Sequence, residues 1–504
     1  MNLSVLRSAL LAIGLLSLLC AAQPKPAKLQ QTPIEQDALH DDNVPAQSID
    51  SAGESGKPIH ATIAIDWAKP EYPTSRRQFS LNATAGARPQ LSADPKYARN
   101  MAWMNAGILR YHKGIVPRAI AEPASGNAGA GGWVDVVNKS WNREIIRDSF
   151  KNFPIAPGTD IVVNIATWPP WMDKDKRLDP AYYDAFAGFY ADLVRILNVE
   201  MRLGVRYFEI TNERDFVYWR AQQKTGEPPL TRELAKIFLL CAEAMKKVDP
   251  AIKTGGPAAA SGEKNVQPMH REFIRLTRSQ LDFFSFHGYA TGTADQPDAF
   301  IYDKAAWLGS LIKKHRAMLD ELSPDRHIEV HLNEYNIAWT WRIKEPRMRN
   351  HKGAVFDSLF LIAAVMARAD VTNAWNDQEG VYGKMDVKNG YTLRPPAHVF
   401  HYFNNWLVGR SVKAATDQPR AVVPFAIRAE DGSHAFVLVN RSASIVTVNL
   451  VSTGIQGNVT GKIDRAQIAR PGADCLDTGV LEFSVLQNPV SLPPHSVTFY
   501  RFSK

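Results

Sequence analysis

Two stretches of the chain end in the same chemistry. Val205 to Asp215 reads Val-Arg-Tyr-Phe-Glu-Ile-Thr-Asn-Glu-Arg-Asp, and about 120 residues later Glu329 to Asn336 reads Glu-Val-His-Leu-Asn-Glu-Tyr-Asn. Each has the β-branched and aromatic content of a buried strand, and each runs into Asn-Glu, at Asn212-Glu213 and at Asn333-Glu334. A single Asn-Glu after an apolar run is an ordinary solvated strand end. Two glutamates at strand ends on one face are what retaining glycoside hydrolysis requires, with carboxyl groups about 5 to 5.5 Å apart: one protonates the leaving oxygen and the other attacks the anomeric carbon.

Such a pair works only if its surroundings hold one carboxyl protonated and the other ionised. The sequence offers candidates for that task. Arg110 closes an early strand, and its permanent charge suits an ionised carboxylate. His287 and Tyr289 share one side of a later strand, where imidazole and phenol can hydrogen-bond carboxylates. Trp168 and Trp375 follow strands, and flat apolar rings suit the C–H faces of a sugar. Each has a plainer reading as a satisfied core residue, since most barrel aromatics are packing.

These residues need a common frame. From about Gln78 the chain alternates strand, loop and helix. Strands are expected at Phe79–Asn82, Ala106–Tyr111 (ending at Arg110 and His112), Ile161–Ala166, the Glu213 stretch, Lys253–Gly255, Leu281–Tyr289, the Glu334 stretch and Val371–Trp375. Helices between them include one capped by Asp179 and Pro180 and running through Tyr182, Phe186, Phe189, Leu193, Leu197 and Met201. Others are read around Leu234–Val248, at Ala305–Leu322 and at the almost wholly apolar Ala354–Ala369. Eight strands alternating with helices over roughly 300 residues predict an α/β chain, a (β/α)8 TIM barrel spanning residues 78–408, whose strand C-termini carry the chemistry.

Both ends of the chain read differently. Residues 409–504 are short alternating strands, at Ala421–Ile427, Ala435–Val439, Thr447–Val451, Val480–Val485 and Val497–Phe502, which predicts an accessory β-sandwich. Residues 58–77 alternate at Ile59, Ala61, Ile63, Ile65 and Trp67, and this N-terminal strand is expected to join the sandwich. Residues 23–57, rich in Gln, Asp, Pro, Ser and Ala, read as a disordered linker. Residues 1–22 read as a signal peptide, with Arg7 before the apolar run Ala9–Leu19 and small residues to Ala22. Lipid anchoring at Cys20 is the weaker alternative because Leu19 is bulky. A secreted or periplasmic protein is therefore expected, with no transmembrane segment once the signal is removed.

Composition narrows the partners. A formal charge of +8 over 504 residues, without a dense Lys/Arg run interleaved with aromatics, argues against nucleic acid. The three cysteines have no metal-ligand spacing and no glycine-rich phosphate loop follows the first strand, so neither metal nor cofactor is called for. Cys241 reads as buried and inert. Trp339, Trp341, Arg342, Lys344, Arg347 and Arg349 form a basic aromatic stretch after Glu334; with Lys113 and Arg214 it would suit an acidic polysaccharide, although a solvated loop reads as well.

The order of these residues resembles the large (β/α)8 clan of retaining glycoside hydrolases: Arg110 after the second strand, Asn212-Glu213 after the fourth, His287 and Tyr289 on the sixth, Glu334 after the seventh, Trp375 after the eighth. The leading strand, trailing sandwich and Glu334-Tyr335-Asn336 run are similar to glycoside hydrolase family 39. That resemblance implies Glu213 as acid/base, Glu334 as nucleophile, Asn212 bonding the sugar's 2-hydroxyl and Tyr289 orienting Glu334. It departs after Glu213, where the family usually has proline or another compact residue and this chain has Arg214 and Asp215. A β-linked poly- or oligosaccharide is the expected substrate. The competing expectation is a non-catalytic carbohydrate-binding barrel that handles exopolysaccharide.

Overall fold

The computed structural model describes residues 57–84, 89–111, 133–153, 155–226, 228–378, 380–455 and 461–503. The signal, most of the linker, His112 and Lys113 lie outside the described residues. Eight parallel strands close a barrel: β2 (Ser80–Asn82), β3 (Ile108–Tyr111), β4 (Asp160–Ile165), β5 (Tyr207–Ile210), β6 (Lys253–Ala259), β7 (Phe283–Thr291), β8 (Glu329–Ala338) and β9 (Val371–Ala374). They follow one another around the ring in chain order, with β9 pairing back to β2.

The main helices are α1 (Pro95–Met104), α2 (Arg143–Lys151), α3 (Tyr183–Val194), α4 (Thr231–Val248), α5 (Gln267–Thr277), α6 (Asp298–Leu322), α7 (His351–Met366) and α8 (Pro395–Trp406). Their starts follow capping chemistry. Asp94 accepts from the Lys96 N–H with Pro95 at the first helical position, and Asn350 accepts from the Lys352 N–H. The helix expected from Asp179 to Met201 is divided in three. Asp179 caps a tight turn at Pro180–Tyr182, α3 follows, and wider helical turns occupy Arg195–Glu200.

The accessory unit is one nine-stranded sheet. It contains β1 (Ile59–Thr74), β10 (Gly409–Thr416), β11 (Val422–Ala429), β12 (His434–Asn440), β13 (Val446–Thr453), β14 (Lys462–Ile468), β15 (Leu476–Glu482), β16 (Val490–Leu492) and β17 (Ser496–Phe502), in the order β15-β14-β17-β12-β11-β10-β1-β13-β16. The sheet curls until its ends share a core: Trp67 on β1 meets Phe502 on β17 edge to face at 5.8 Å, and Ile63, Val448, Phe436 and Tyr500 join the same cluster. The sandwich-like core is thus enclosed by one sheet. β1 enters as expected, antiparallel to β10 and parallel to β13, with Ala61, Ile63, Ile65 and Trp67 buried. Three strands, β10, β14 and β16, were not anticipated, and the expected strand through Val485 stops at Glu482 before a short helical turn at Phe483–Gln487.

The outer face of this sheet rests on the barrel. Val437, Val439 and Phe499 share a core with α7 and α8, and Phe499 stacks on Tyr402 at 5.0 Å. That contact explains why α7 is apolar all round: barrel and sheet cover opposite faces of it.

Candidate active site

The barrel interior is layered. Near the N-terminal ends of the strands, Ile108, Val162, Tyr207, Phe283 and Val371 form an apolar plug. Above it lies a polar layer centred on Arg110, which is completely buried. Its Nε donates to Glu209 Oε2 at 2.7 Å, its Nη1 to Asn82 Oδ1 at 2.9 Å and Glu334 Oε1 at 2.8 Å, and its Nη2 to Asn212 Oδ1 at 2.7 Å. Glu209 also accepts from Asn164 Nδ2 at 2.7 Å and from Asn333 Nδ2. Every group in this layer is held by charge-assisted bonds, which fixes the floor of the site.

Glu334 reaches that floor because β8 is irregular. Alternation along β8 turns Glu329, His331 and Asn333 toward the barrel axis, which would send Glu334 outward. The register shifts instead: Leu332 pairs with Phe286 while Glu334 pairs with His287, and on the other side Leu332 pairs with Thr372 while Tyr335 pairs with Ala374. Asn333 is the additional residue, so it and Glu334 both face inward. Tyr335 packs outward against Phe360 of α7, with ring centroids 4.0 Å apart.

Strained backbone positions the other carboxylate. Thr211 and Glu213 at the end of β5, and Ala258 on β6, adopt positive φ of 69°, 52° and 48°. Residues with a Cβ avoid this region, at a cost of roughly 1–3 kcal/mol each. Bonds across three strands compensate: Asn212 N–H donates to Ala166 O at 3.2 Å, Glu213 N–H to Ala258 O at 2.9 Å, and Thr211 Oγ1 to Pro257 O at 3.2 Å.

The result brings Glu213, Glu334, Arg110, Asn212, His287 and Tyr289 together. One oxygen of each glutamate and a His287 nitrogen lie within 4.8 Å of one another. His287 Nδ1 is 2.9 Å from Glu213 Oε1, and its Nε2 is 3.5 Å from Glu334 Oε1. Tyr289 donates to Glu334 Oε2 at 2.9 Å. Burial and the adjacent Glu334 charge push the Tyr289 phenol well above its ordinary pKa, so it remains a donor. Burial pulls the His287 imidazole down, but the charges of Glu334 and Glu213 outweigh it and leave its pKa raised. For Glu213, burial pushes upward while the bond to His287 and its charge pull further down, and the net direction is lowered. The two shifts run in opposite directions and belong to the hydrogen-bonded pair rather than to either residue alone.

The same trio is the one convergent set of metal-ligand atoms among the described residues. Most of its atoms are already engaged, since His287 Nδ1 is bonded to Glu213 and Arg110 and Tyr289 hold Glu334, so a cation would have to break the His287–Glu213 bond and face a guanidinium.

The tryptophans are placed differently. Trp168 is 3% exposed, its Nε1 donates to Asp173 Oδ2 at 2.7 Å, and the Arg214 guanidinium lies 5.4 Å from its ring centroid, so the open face expected for a sugar is not present. Trp375, 7% exposed, follows β9, and its carbonyl accepts from Asn336 Nδ2. In the basic aromatic stretch, Arg347 is buried on Glu345 and Asp298 and Arg349 pairs with Asp386 at 3.5 Å, while Arg342 projects over Trp341.

Sequence reasoning missed Glu209, Asn82, Asn164 and Asn333. Glu209 carried a usable signal: it sits between Phe208 and Ile210, in phase with Tyr207, so a charge falls at an inward position of a barrel strand.

Comparisons with known proteins agree with this geometry. Residues 203–420, which include both glutamates, His287, Tyr289 and Trp375, match the model of Glycosyl hydrolases family 39; Arg110 and Trp168 precede the matched region. A β-xylosidase of Geobacillus stearothermophilus is 27% identical over 221 residues, covering 39% of this chain and 40% of that protein. The alignment thus spans well under half of that relative. In fold, a family 39 β-xylosidase from Caulobacter crescentus superposes with a TM-score of 0.61 at 15% identity, covering 88% of this chain and 100% of that one. A family 51 arabinofuranosidase from Xanthomonas axonopodis pv. citri gives 0.61 at 15% identity, covering 88% and 99%. Over residues 203–420 this chain is thus similar to glycosyl hydrolases of family 39, and its fold is the (β/α)8 barrel with a second domain that those solved structures share.

Proposed function

We propose that the protein is an exported retaining glycoside hydrolase that cleaves β-linked poly- or oligosaccharides by double displacement. The observation that carries this reading is the proximity of the carboxyl groups, whose nearest oxygens lie within 4.8 Å. That spacing suits a covalent intermediate and leaves no room for the water an inverting pair, about 6.5–9.5 Å apart, must hold between them.

In this reading Glu334 attacks the anomeric carbon as the bond to the leaving oxygen breaks. Arg110 and Tyr289 direct its oxygens and stabilise it as an anion. The proton shared by His287 and Glu213 passes through Glu213 to the leaving oxygen. Water then attacks the glycosyl ester, Glu213 accepts its proton, and Glu334 departs, so the anomeric configuration is retained. Asn212 Oδ1 is occupied by Arg110, and its Nδ2, which has no partner among the described residues, is free to donate to the 2-hydroxyl.

The apolar leader supports export, and the positive charge beside the site supports an acidic substrate. A panel of chromogenic β-glycosides and of plant and bacterial polysaccharides, run with wild type and Glu334→Gln, tests the reading. Turnover by wild type alone, with retained configuration by NMR, is expected. Sugar binding without turnover by either protein would replace it with a binding barrel.

A further inference from the structure

Arg214 differs from the buried arginines of the protein in its partners. Arg110, Arg316 and Arg347 each meet carboxylates within ion-pair distance. Arg214 is half-buried, and among the described residues no carboxylate lies within that distance of it. Its one hydrogen bond runs from Nε to the Asn212 carbonyl at 3.2 Å. The guanidinium lies over the Trp168 ring, 5.4 Å from its centroid, and Trp168 is itself fixed through Nε1 to Asp173 Oδ2 at 2.7 Å.

This leaves the two terminal nitrogens without acceptors among the described residues. Burial draws the Arg214 pKa down from its ordinary value, against the charges of Glu213, Asp173 and Asp215, but a guanidinium remains cationic in any such setting. A half-buried cation that lacks a carboxylate partner among the described residues is suited to an anion supplied from outside. Arg214 directly follows Glu213, the group that faces the leaving oxygen, so that anion would lie on the leaving-group side of the scissile bond. Bidentate pairing of a guanidinium with a planar carboxylate is the geometry an arginine provides and a lysine does not.

We infer that Arg214, held on Trp168 and the Asn212 carbonyl, binds the carboxylate of a uronic acid residue on the leaving-group side of the site. Its placement there rests on the hydrolase reading, whereas the binding itself does not. The site would select acidic polymers through one fixed guanidinium, while the more exposed Arg342 contributes only general attraction.

The test is tryptophan-fluorescence titration of the full chain carrying Glu334→Gln, which holds turnover silent. The probes are glucuronate, galacturonate and mannuronate, each with its neutral parent sugar, and acetate. The best of the three acids should bind about tenfold to a hundredfold more tightly than its neutral parent. Arg214→Gln should erase that difference and Arg214→Lys should restore part of it, with unchanged melting temperatures showing that the fold is intact. Should no acid bind better than its parent, should acetate bind as well as the acid, or should the difference survive Arg214→Gln, the inference fails. Wild-type turnover, measured separately, decides the hydrolase reading: uronate selectivity without turnover removes that reading and leaves this one.

Discussion

One strand, β8, carries a buried glutamate near each end, and the two are surrounded by nearly the same kinds of residue. Glu334, at the C-terminal end, meets Arg110, His287 and Tyr289. Glu329, at the N-terminal end, meets Arg77 at 2.6 Å, His331 at 2.9 Å, Tyr207 at 3.3 Å and also Lys253. The difference is in the charge balance. Around Glu329 two permanent cations neutralise a single anion, and that carboxyl is held far below its ordinary range: burial pushes it up, but His331, Arg77 and Lys253 pull it down by more. Around Glu334 one arginine serves Glu209 and Glu334, and a third carboxylate, Glu213, shares a proton with the histidine. The lower network is closed and has no chemistry left to do. The upper one is short of cations and partly open to solvent at Glu213, which is the condition for accepting and releasing a proton.

That contrast can be broken by substitution. Glu334→Gln should reduce turnover on the order of 10^4-fold or more, because the proposed nucleophile has no substitute, with little change in the urea midpoint. Arg110→Met should be the most damaging to stability, costing about 3–5 kcal/mol in urea unfolding, since Glu209 and Glu334 would remain buried and uncompensated. Glu329→Gln should leave kcat unchanged and cost about 1–3 kcal/mol; Arg77 and Lys253 are each 29% exposed at the side chain, so water partly replaces the lost partner.

The last difference has a pH signature of known sign. A carboxyl whose folded pKa is depressed stabilises the protein above its unfolded pKa, and the contribution fades as pH falls toward the folded value. The stability gap between wild type and Glu329→Gln should therefore narrow as the solution is acidified below about pH 4.5, the ordinary glutamate value; a gap that widened would refute the assignment. Tyr289→Phe should have the smallest effect, roughly tenfold in kcat with KM little changed, because Arg110 still holds Glu334.

Much of this was legible in the sequence because barrel strands advertise themselves. The runs ending at Glu213 and Glu334, the stretch carrying His287 and Tyr289, and the helical spacing between them place six residues at one end of a barrel. What was hidden follows from how the signals arise. Glu209 and the asparagines of the floor sit inside strands, where a lone polar residue cannot be told from a solvent-facing one until the ring closes. Strand β14 is interrupted by charged residues and β16 is only three residues long, so their alternation is weak. Trp168 read as an open platform because exposure depends on a partner, Arg214, that is 46 positions away in the chain.

The irregularity at Asn333 gives the strand a reading frame. Below it the inward positions are odd-numbered, at Glu329, His331 and Asn333; above it they are even-numbered, at Glu334 and Asn336. Pairing β8 residue for residue, with Asn333 kept but the offset lost, would keep the lower phase and turn Glu334 out of the ring toward α7, whereas deleting Asn333 would join the two phases and leave Glu334 facing inward, a contrast that paired stability and rate measurements would reveal. Moving this segment residue for residue onto a regular barrel requires the offset to travel with the side chains, because the phase that turns Glu334 inward is written in the backbone.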